Sequence, residues 1–256
     1  MPGIAGRRRP AYISLWAVFP KIAMKLSIII PVYNEYANVD HVIAAVQAVR
    51  FPAGIDAKEI ILVDDGSVDG TAAKVAKYRN ESGFVVHQAP LNRGKGTAVR
   101  TGLTYVTGDI VIIQDADLEY DPNDYVALLL PILQGRARVV YGSRFLGRRV
   151  VPGMKPAYWL ANHILRTLTN ILYRAALTDE ATAYKVFRTE VLRGLTLTAR
   201  RFEICPELTA KVLRSGERIV EVPIHYCGRT RAEGKKIRFS DALVAAWTLV
   251  KYRVVG

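Results

Sequence analysis

The 256-residue chain is long enough for one large α/β domain or two small ones, and 50% of its residues are hydrophobic, so it can bury a substantial core. Its formal net charge of +13 favours an anionic partner such as nucleic acid, an anionic membrane surface or a phosphorylated substrate. The cysteines Cys205 and Cys227 fit neither a disulfide framework nor metal-ligand spacing, which indicates a reducing compartment. No apolar run approaches the roughly 20 residues that a membrane span needs.

Residues 1–23 precede the first strong strand pattern and are expected to be a flexible or artefactual extension. Arg7 to Arg9 and the apolar residues that follow them superficially resemble a signal peptide, but serine and proline interrupt the short apolar stretch. Met24 leads directly into the strand pattern and is the natural start on this interpretation. We therefore expect residues 24–256 to form a single domain.

Strand and helix patterns alternate along the chain after Leu26. Short apolar runs bounded by turn residues predict strands, and apolar residues spaced by three and four predict helices. The predicted strands are 27–32, 59–63, 84–87, 109–114, 139–141 and 219–224. The predicted helices are 36–49, 71–78, 97–106, 122–133, 158–176 and 239–250. This βαβα order predicts a mostly parallel sheet that is covered by helices on both faces.

The strand that ends at Gln114 is followed by Asp115 and Asp117, which only Ala116 separates, and then by Glu119. Open α/β sheets bind their ligands beyond the carboxyl ends of their strands. Paired carboxylates suit Mg²⁺ or Mn²⁺, which proteins hold with one or two carboxylates while substrate phosphates complete the coordination shell. The motif indicates a metal and diphosphate site, although a solvated strand end remains the alternative for this motif alone.

Two further strand ends carry similar chemistry. After the first strand, Tyr33 offers an aromatic ring and Glu35 a hydrogen-bond acceptor. After the second, Asp64 and Asp65 are followed by Gly66. Carboxylates there can accept hydrogen bonds from a ribose or from the N–H groups of a base, and an aromatic ring can stack on the base. Three such turns at one sheet edge predict a nucleotide pocket.

These turns, together with Tyr141 to Arg144 and Thr178 to Arg188, resemble glycosyltransferase family 2 and its GT-A fold. The resemblance runs from Lys25 to Arg253 and is greatest to the dolichol-phosphate mannosyltransferase and polyprenyl-phosphate hexosyltransferase type. It implies one α/β glycosyltransferase domain over residues 24–256, with a Rossmann-like, mostly parallel sheet flanked by helices and with C-terminal amphipathic helices. It also implies the metal-dependent, inverting transfer of a hexose from a nucleotide sugar, with GDP-mannose favoured, to a polyprenyl or dolichyl phosphate.

The resemblance assigns roles to individual residues. The implied nucleotide-sugar contacts are Pro31, Tyr33, Glu35, Val63, Asp65, Asp115, Ala116, Asp117, Arg144, Arg229 and Lys235. The implied ligands of Mg²⁺ or Mn²⁺ are Asp115, Asp117 and Glu119. The implied catalytic residues are Asp117, Arg144 and Asp179; Arg144 is implied to approach either the donor phosphates or the acceptor. Asp179 is expected to position the sugar or the acceptor, because a lipid phosphate is already charged and needs no strong base; Glu203 and Glu207 are unranked alternatives.

A basic loop lies between Tyr226 and Ile237. It contains four cationic residues within eight positions, together with two glycines, Gly228 and Gly234, that allow it to move; the cationic residues are Arg229, Arg231, Lys235 and Lys236. A flexible cationic loop can close over a diphosphate and compensate the charge that develops on the departing nucleotide. The resemblance places Arg229 and Lys235 on phosphates. Without it, a solvated basic loop is the simpler interpretation.

The helices predicted at 158–176 and 239–250 each have an apolar face, and basic residues are interspersed in the first. Such a helix either packs on the core or lies in a membrane interface. Together with the net charge of +13, this predicts a cytoplasmic protein attached peripherally to an anionic membrane surface at the cytoplasmic face. A separate membrane-anchor protein is the alternative to surface binding alone.

Other functions remain as alternatives. UDP-glucose or another UDP-sugar is an alternative donor, because the same motifs serve it. A sugar nucleotidyltransferase is a more distant alternative, although the chain lacks the glycine-rich basic signature expected near its N-terminus. Nucleic acid is not expected as a partner, since the acidic strand-end turns would repel a phosphate backbone and no basic stripe with interleaved aromatic residues is evident.

Overall fold

The structure is a computed structural model that describes residues 23–147, 151–229, 236 and 239–255. The predicted N-terminal extension lies outside the described residues except for residue 23, and so does Lys235. The first strand begins at Met24, three residues before the predicted start at Ser27.

The described residues form one seven-stranded sheet and its surrounding helices. The strands are β1 (Met24–Val32), β2 (Ile55–Asp64), β3 (Phe84–Gln88), β4 (Ile110–Ile113), β5 (Val139–Ser143), β6 (Lys185–Arg188) and β7 (Ile219–Pro223). The helices are α1 (Val39–Ala48), α2 (Thr71–Ala76), α3 (Lys95–Leu103), α4 (Tyr125–Leu133), α5 (Pro156–Tyr173), α6 (Thr189–Arg193), α7 (Ile204–Arg214) and α8 (Phe239–Val254).

The strand order is β3-β2-β1-β4-β6-β5-β7. All neighbouring strands are parallel except β6, which is antiparallel to both β4 and β5. The mostly parallel sheet is confirmed, whereas β6, α6 and α7 were not predicted. Because β6 runs in the opposite direction, the segment that precedes it lies at the same sheet edge as the carboxyl ends of its neighbours.

Helices cover both faces of the sheet, as the alternation of elements predicts. On β1, Ile28 and Ile30 pack with α1 and α4, whereas Ile29 points to the other face and packs with α3 and α7. Fully burying each such side chain contributes about 1.5–3 kcal/mol. Gly102 allows α3 to approach, because a Cβ at this position would lie 2.5 Å from the Cγ2 of Ile29.

The helices α5, α7 and α8 form a third, smaller cluster beside the sheet. Leu165, Ala210 and Leu249 pack there, and the hydroxyl of Tyr173 donates to the backbone oxygen of Leu249 (2.6 Å). Within the described residues, no helix is long and apolar enough to cross a membrane.

Candidate active site

A cavity of about 1030 Å³ opens at the carboxyl edge of the sheet. Ten of the predicted site residues line it: Pro31, Tyr33, Glu35, Asp65, Asp115, Ala116, Asp117, Glu119, Arg144 and Arg229. The volume is slightly larger than the usual range of about 300–1,000 Å³ for small-molecule sites. The three strand-end turns therefore converge at one edge, as the parallel order of the strands requires.

Val63 does not belong to the cavity lining in the part of the chain that is described. Its side chain is buried in the core beside Ile61 and Val99, because alternate residues of β2 point to opposite faces. The structure thus gives Val63 a packing role in place of the expected nucleotide contact.

Asp65 shapes the loop that leads into α3. Its Oδ1 accepts from the backbone N–H of Arg93 (2.9 Å), and its Oδ2 accepts from the backbone N–H of Gly94 (2.6 Å). Gly94 has a φ of 99°, and a Cβ there would lie 2.5 Å from the backbone oxygen of Arg200. Only glycine fits this conformation without strain. The carboxylate therefore fixes the loop that delivers Lys95 to the cavity.

The two carboxylates after β4 each face a cation. The Nζ of Lys95 lies 2.5 Å from Oδ1 of Asp115, and Nη2 of Arg229 lies 3.2 Å from Oδ2 of Asp117. Burial raises the pKa of Asp117 to about 7, with contributions from Asp115 and Glu119 and against the effect of Arg229. The pKa of Lys95 is raised, because the attraction of Asp115 outweighs its burial.

Arg229 joins the first and third strand-end turns. Its Nη1 and Nη2 lie 3.1 Å and 3.2 Å from the carboxylate oxygens of Glu35. Lys236 (2.7 Å) and Asn38 (2.8 Å) also donate to Glu35. Burial would raise the pKa of Glu35, but the hydrogen bonds from Arg229 and Lys236 outweigh it and lower that pKa. Arg229 and Lys236 of the basic loop are thus tied to the cavity wall.

Glu119 anchors the first residues of the basic loop. Its Oε2 accepts from the hydroxyl of Tyr226 (3.0 Å), its Oε1 from the backbone N–H of Arg229 (2.8 Å) and its backbone oxygen from the N–H of Cys227 (2.9 Å). No three His, Cys, Asp or Glu side chains of the described residues form a metal-binding cluster. Asp115 and Asp117 still fit Mg²⁺ or Mn²⁺, since one or two carboxylates together with phosphate oxygens suffice.

Arg144 and Asp179 form a buried pair. Nε and Nη2 of Arg144 lie 2.7 Å and 2.8 Å from the two carboxylate oxygens of Asp179, and the arginine lines the cavity. Asp179 is fully buried, and its backbone N–H donates to Oε1 of Glu221 (2.9 Å). The carboxylate of Asp179 holds Arg144 and does not itself line the cavity within the described residues, so its expected role in positioning the sugar or the acceptor stays a prediction.

The two alternatives to Asp179 also accept hydrogen bonds from backbone N–H groups. Glu203 accepts from the N–H groups of Arg200 (2.9 Å) and Arg201 (3.1 Å). Glu207 accepts from the N–H of Ala199 (2.7 Å) and pairs with Lys211 (2.6 Å). Neither glutamate lines the cavity over the described ranges. The structure therefore supports neither as a sugar or acceptor contact.

Some cavity residues were not indicated by the sequence patterns. They are Asn92, Tyr120, Asn162, Glu180 and Arg201. Glu180 follows Asp179 in a segment that the resemblance had already singled out, so its position was the available signal. Recognising it requires knowing that β6 is antiparallel, because only then does the preceding segment reach the cavity.

A Rossmann-like sheet whose strand ends gather paired carboxylates, cations and an aromatic ring in one cavity has the architecture of a GT-A glycosyltransferase. The model of the family "Glycosyl transferase family 2" matches residues 27–196. The chain belongs to glycosyl transferase family 2.

Curated relatives share this region of sequence. The chain is 29% identical over 213 residues to undecaprenyl-phosphate 4-deoxy-4-formamido-L-arabinose transferase of Enterobacter sp. (strain 638), with 82% of this chain and 62% of the relative covered. It is 29% identical over 223 residues to dolichol-phosphate mannosyltransferase of Pyrococcus furiosus, with 83% and 59% covered. The chain thus spans about three fifths of the length of these relatives.

A solved structure confirms the expected fold. Glucosyl-3-phosphoglycerate synthase from Mycobacterium tuberculosis, in complex with Mn²⁺, uridine diphosphate and phosphoglyceric acid, superimposes with a TM-score of 0.70 at 20% identity, covering 92% of this chain and 81% of that one. At this identity the likeness concerns the fold alone.

Proposed function

We propose that this chain transfers a hexose from a nucleotide sugar to a polyprenyl or dolichyl phosphate, with inversion and with Mg²⁺ or Mn²⁺. The observation that carries the proposal is the pairing of Asp115 with Lys95 and of Asp117 with Arg229 in one cavity. The names of the curated relatives, which act on undecaprenyl phosphate and dolichol phosphate, support a prenyl phosphate as acceptor. GDP-mannose is the favoured donor, and UDP-glucose is the alternative.

The two ion pairs, Lys95 with Asp115 and Arg229 with Asp117, can exchange partners when the donor binds. A diphosphate brings oxygens that pair with Lys95 and Arg229, which frees the carboxylates of Asp115 and Asp117 for a divalent cation. The Nε of Arg229 is buried and has no hydrogen-bond partner among the described residues, so it retains a donor for a phosphate oxygen. When bound, the cation compensates charge that develops on the departing diphosphate.

Arg144 is the proposed contact for the acceptor phosphate. A guanidinium matches the geometry of phosphate oxygens, and Asp179 holds this one in place at the end of β5. In the sheet, β4 and β6 separate β5 from the nucleotide turns of β1 and β2. Donor and acceptor phosphates thus approach the reacting carbon from different sides. The carbon–oxygen bond to the diphosphate breaks as the bond to the lipid phosphate oxygen forms, which inverts the centre.

An exposed apolar surface borders the cavity. We call it the α5–α8 face; its members are each more than half exposed and comprise Leu160, Ile164, Ile171, Leu243, Trp247 and Val254. Ala161 of α5 and Ala242 of α8 line the cavity beside it. Such a surface is typical of a membrane-interaction site. It supports peripheral binding to anionic lipid, so that the acceptor phosphate can enter from the membrane.

The proposal places the chain at the cytoplasmic face of the membrane. Both cysteines, Cys205 and Cys227, are free thiols, as is usual in a reducing compartment. If the chain alone binds vesicles weakly, we propose that a separate membrane-anchor protein holds it at the membrane.

The test combines binding with product analysis. We expect Mn²⁺ together with one nucleoside diphosphate to raise the melting temperature, since selective binding to the native state stabilises it. The double variant Asp115→Asn with Asp117→Asn should show no such rise. With the matching nucleotide sugar and a short-chain prenyl phosphate, the products should be a glycosyl phosphoprenol and that nucleoside diphosphate. Release of pyrophosphate from a sugar phosphate and a nucleoside triphosphate would instead indicate a nucleotidyltransferase.

A further inference from the structure

Glu180 has a buried carboxyl group that forms no ion pair among the described residues. It is fully buried, it lines the cavity, and neither carboxylate oxygen has a hydrogen-bond partner within the described part of the chain. The hydroxyl of Thr209 on α7 lies close enough to lower the pKa of Glu180, but it donates its hydrogen bond to the backbone oxygen of Cys205 (3.0 Å). Buried polar groups in native proteins are almost always paired, and an unpaired one calls for an explanation such as strain, a catalytic role, or a bound water, ion or ligand.

Lys185 does not neutralise this group directly. Its Nζ donates to the backbone oxygen of Glu180 (2.9 Å) and lies 3.6 Å from the ring centre of Tyr141. Burial raises the pKa of Glu180 against the opposing effect of Lys185. The lysine therefore fixes the backbone of this segment and leaves both carboxyl oxygens available.

A second unpaired group belongs to the same part of the cavity wall. The Oδ1 of Asn162 on α5 accepts from the backbone N–H of Ala181 (3.1 Å), next to Glu180. The Nδ2 of Asn162 is buried and has no partner among the residues described, and the side chain lines the cavity. Glu180 and Asn162 thus present acceptors and a donor on neighbouring parts of one wall. A sugar hydroxyl needs this combination, because it both donates and accepts.

The sheet order suggests which part of the substrate reaches them. Across the sheet, Asp65 follows β2, Tyr33 follows β1, Asp115 follows β4, Glu180 precedes β6 and Arg144 follows β5. If the base and ribose lie at β2 and β1 and the diphosphate at β4, the next position, before β6, is that of the transferred sugar.

Resting on the proposed function, we infer that Glu180 and Asn162 bind hydroxyl groups of the transferred sugar and make the site selective for a neutral hexose over a uronic acid. A carboxylate on the sugar would meet the carboxyl group of Glu180 in a desolvated place, where like charges repel strongly. A neutral hexose instead supplies the donors that Glu180 lacks. The contact is specific to the sugar, so it adds nothing to the binding of a nucleoside diphosphate.

The test compares dissociation constants for a nucleoside diphosphate and for its nucleotide sugars in the presence of Mn²⁺. The probes are GDP and GDP-mannose, UDP and UDP-glucose, and UDP-glucuronate. We expect Glu180→Ala to weaken the neutral nucleotide sugar about tenfold or more, as for a lost hydrogen bond to a charged group, with less than a twofold change for the nucleoside diphosphate. Glu180→Gln should narrow the preference for UDP-glucose over UDP-glucuronate.

The matched control is Thr182→Val in the same segment. The hydroxyl of Thr182 is buried and unpaired within the described residues but does not line the cavity, so this variant should leave both dissociation constants unchanged. In addition, Glu180→Gln should raise the melting temperature of the ligand-free protein, since an unpaired buried carboxylate destabilises the fold.

Three results would overturn the inference. Equal weakening of the nucleoside diphosphate and the nucleotide sugar, with a lowered melting temperature, would give Glu180 a structural role. Unchanged binding of both would remove it from the sugar site. Tighter binding of an amino sugar donor than of its neutral counterpart would replace hydroxyl recognition by pairing with an ammonium group. Failure of the unaltered protein to bind any nucleoside diphosphate would instead count against the proposed function itself.

Discussion

Arg144 donates to Asp179 from three nitrogens: its Nε (2.7 Å), its Nη2 (2.8 Å) and its backbone N–H (3.0 Å). The arginine is 8% exposed and the aspartate 0%. The pair joins the end of β5 to the segment that precedes β6, so it fixes the guanidinium relative to both strands. The pKa of Arg144 is raised, because the attraction of Asp179 outweighs burial. A charge buried in this way depends on its partner.

Removal of that partner should therefore be costly for both stability and activity. We expect Asp179→Ala to destabilise the protein by about 3–5 kcal/mol, because it leaves the buried charge of Arg144 uncompensated. Urea unfolding measures this change. If the variant retains its fold, the KM for the prenyl phosphate should rise at least tenfold while the KM for the donor changes little.

The control is the pair between Arg138 and Glu217, which lies nearer the surface. Such pairs contribute at most about 1 kcal/mol, so Glu217→Gln should have a small effect on unfolding and none on either KM. Loss of donor affinity in Asp179→Ala, with acceptor affinity retained, would contradict the placement of Arg144 on the acceptor phosphate.

Replacing Arg229 should change the affinity for Mn²⁺ and the affinity for a nucleoside diphosphate in opposite directions. In this structure it neutralises Asp117 and Glu35, so it competes with a divalent cation for Asp117 but attracts a diphosphate. Arg229→Gln should therefore tighten the binding of Mn²⁺ alone and weaken the binding of a nucleoside diphosphate with Mn²⁺. Calorimetric titration with Mn²⁺, then with nucleoside diphosphate at saturating Mn²⁺, measures both changes.

Arg93→Gln removes the same charge from a nearby exposed position that does not line the cavity. It should change both affinities only slightly, because exposed charges are screened by salt. If Arg229→Gln weakened Mn²⁺ and nucleotide alike, the arginine would be a general stabiliser of the loop, and the exchange of partners would be wrong.

The pH dependence of stability should depend in part on Glu59, which lies far from the cavity lining. Its carboxylate accepts from Ser27 (2.5 Å) and Thr107 (2.7 Å) and pairs with Lys25 (2.6 Å). Burial would raise its pKa, but these partners lower it from 4.5 to about 2. A lowered acid pKa stabilises the fold above the unfolded value, and this stabilisation is lost as the pH falls from about 4.5 towards 2.

At neutral pH the shift corresponds to about 3 kcal/mol. We expect Glu59→Gln to lower the free energy of unfolding at pH 7 and the difference from the unaltered protein to shrink below pH 4.5, as measured by urea unfolding across that range. The exposed Glu81 provides the comparison, since Glu81→Gln should leave the profile nearly unchanged. A difference that stayed constant with pH would mean that Glu59 acts through packing and not through its charge.

The parts of the fold that were predictable are those with local causes. Residues 28–30 of β1, 60–63 of β2 and 110–113 of β4 are all apolar because both faces of a parallel sheet are buried, and the acidic turns come shortly after them. In contrast, β6 has only four residues and includes Lys185, a buried cation that no hydrophobic pattern would include. Its direction depends on pairing with β4 and β5, which are distant in sequence.

The site likewise has contacts that the sequence predicts and contacts that depend on the tertiary fold. Asp115 and Asp117 are neighbours on one strand end, so their proximity follows from the sequence. The contact between Glu35 and Arg229 joins residues 194 positions apart, and that between Glu119 and Arg229 joins residues 110 apart. The family resemblance placed Glu119 among the metal ligands, beside the two aspartates. The residues that actually engage it arrive through the tertiary fold, which local patterns do not encode.

The α5–α8 face supplies the last prediction. Moving an apolar side chain from water into lipid contributes about 1.5–3 kcal/mol when burial is complete. Replacing both Ile164 and Trp247 by serine should therefore weaken binding to anionic vesicles at least tenfold in a flotation assay, without lowering the melting temperature, because both side chains are more than half exposed. Val68→Ser removes an apolar side chain that is 84% exposed and lies outside this face, and it should not affect flotation.

Salt and lipid charge separate the two contributions to this binding. Attraction of basic residues to anionic lipid adds about 1 kcal/mol for each charge near the surface and is screened by salt, whereas apolar insertion is not. Binding by the unaltered chain should fall in high salt, and the double variant should lose the part that persists there. If the double variant bound as tightly as the unaltered chain at every salt concentration, the α5–α8 face would not touch the membrane. The acceptor would then have to be delivered by a separate anchor protein.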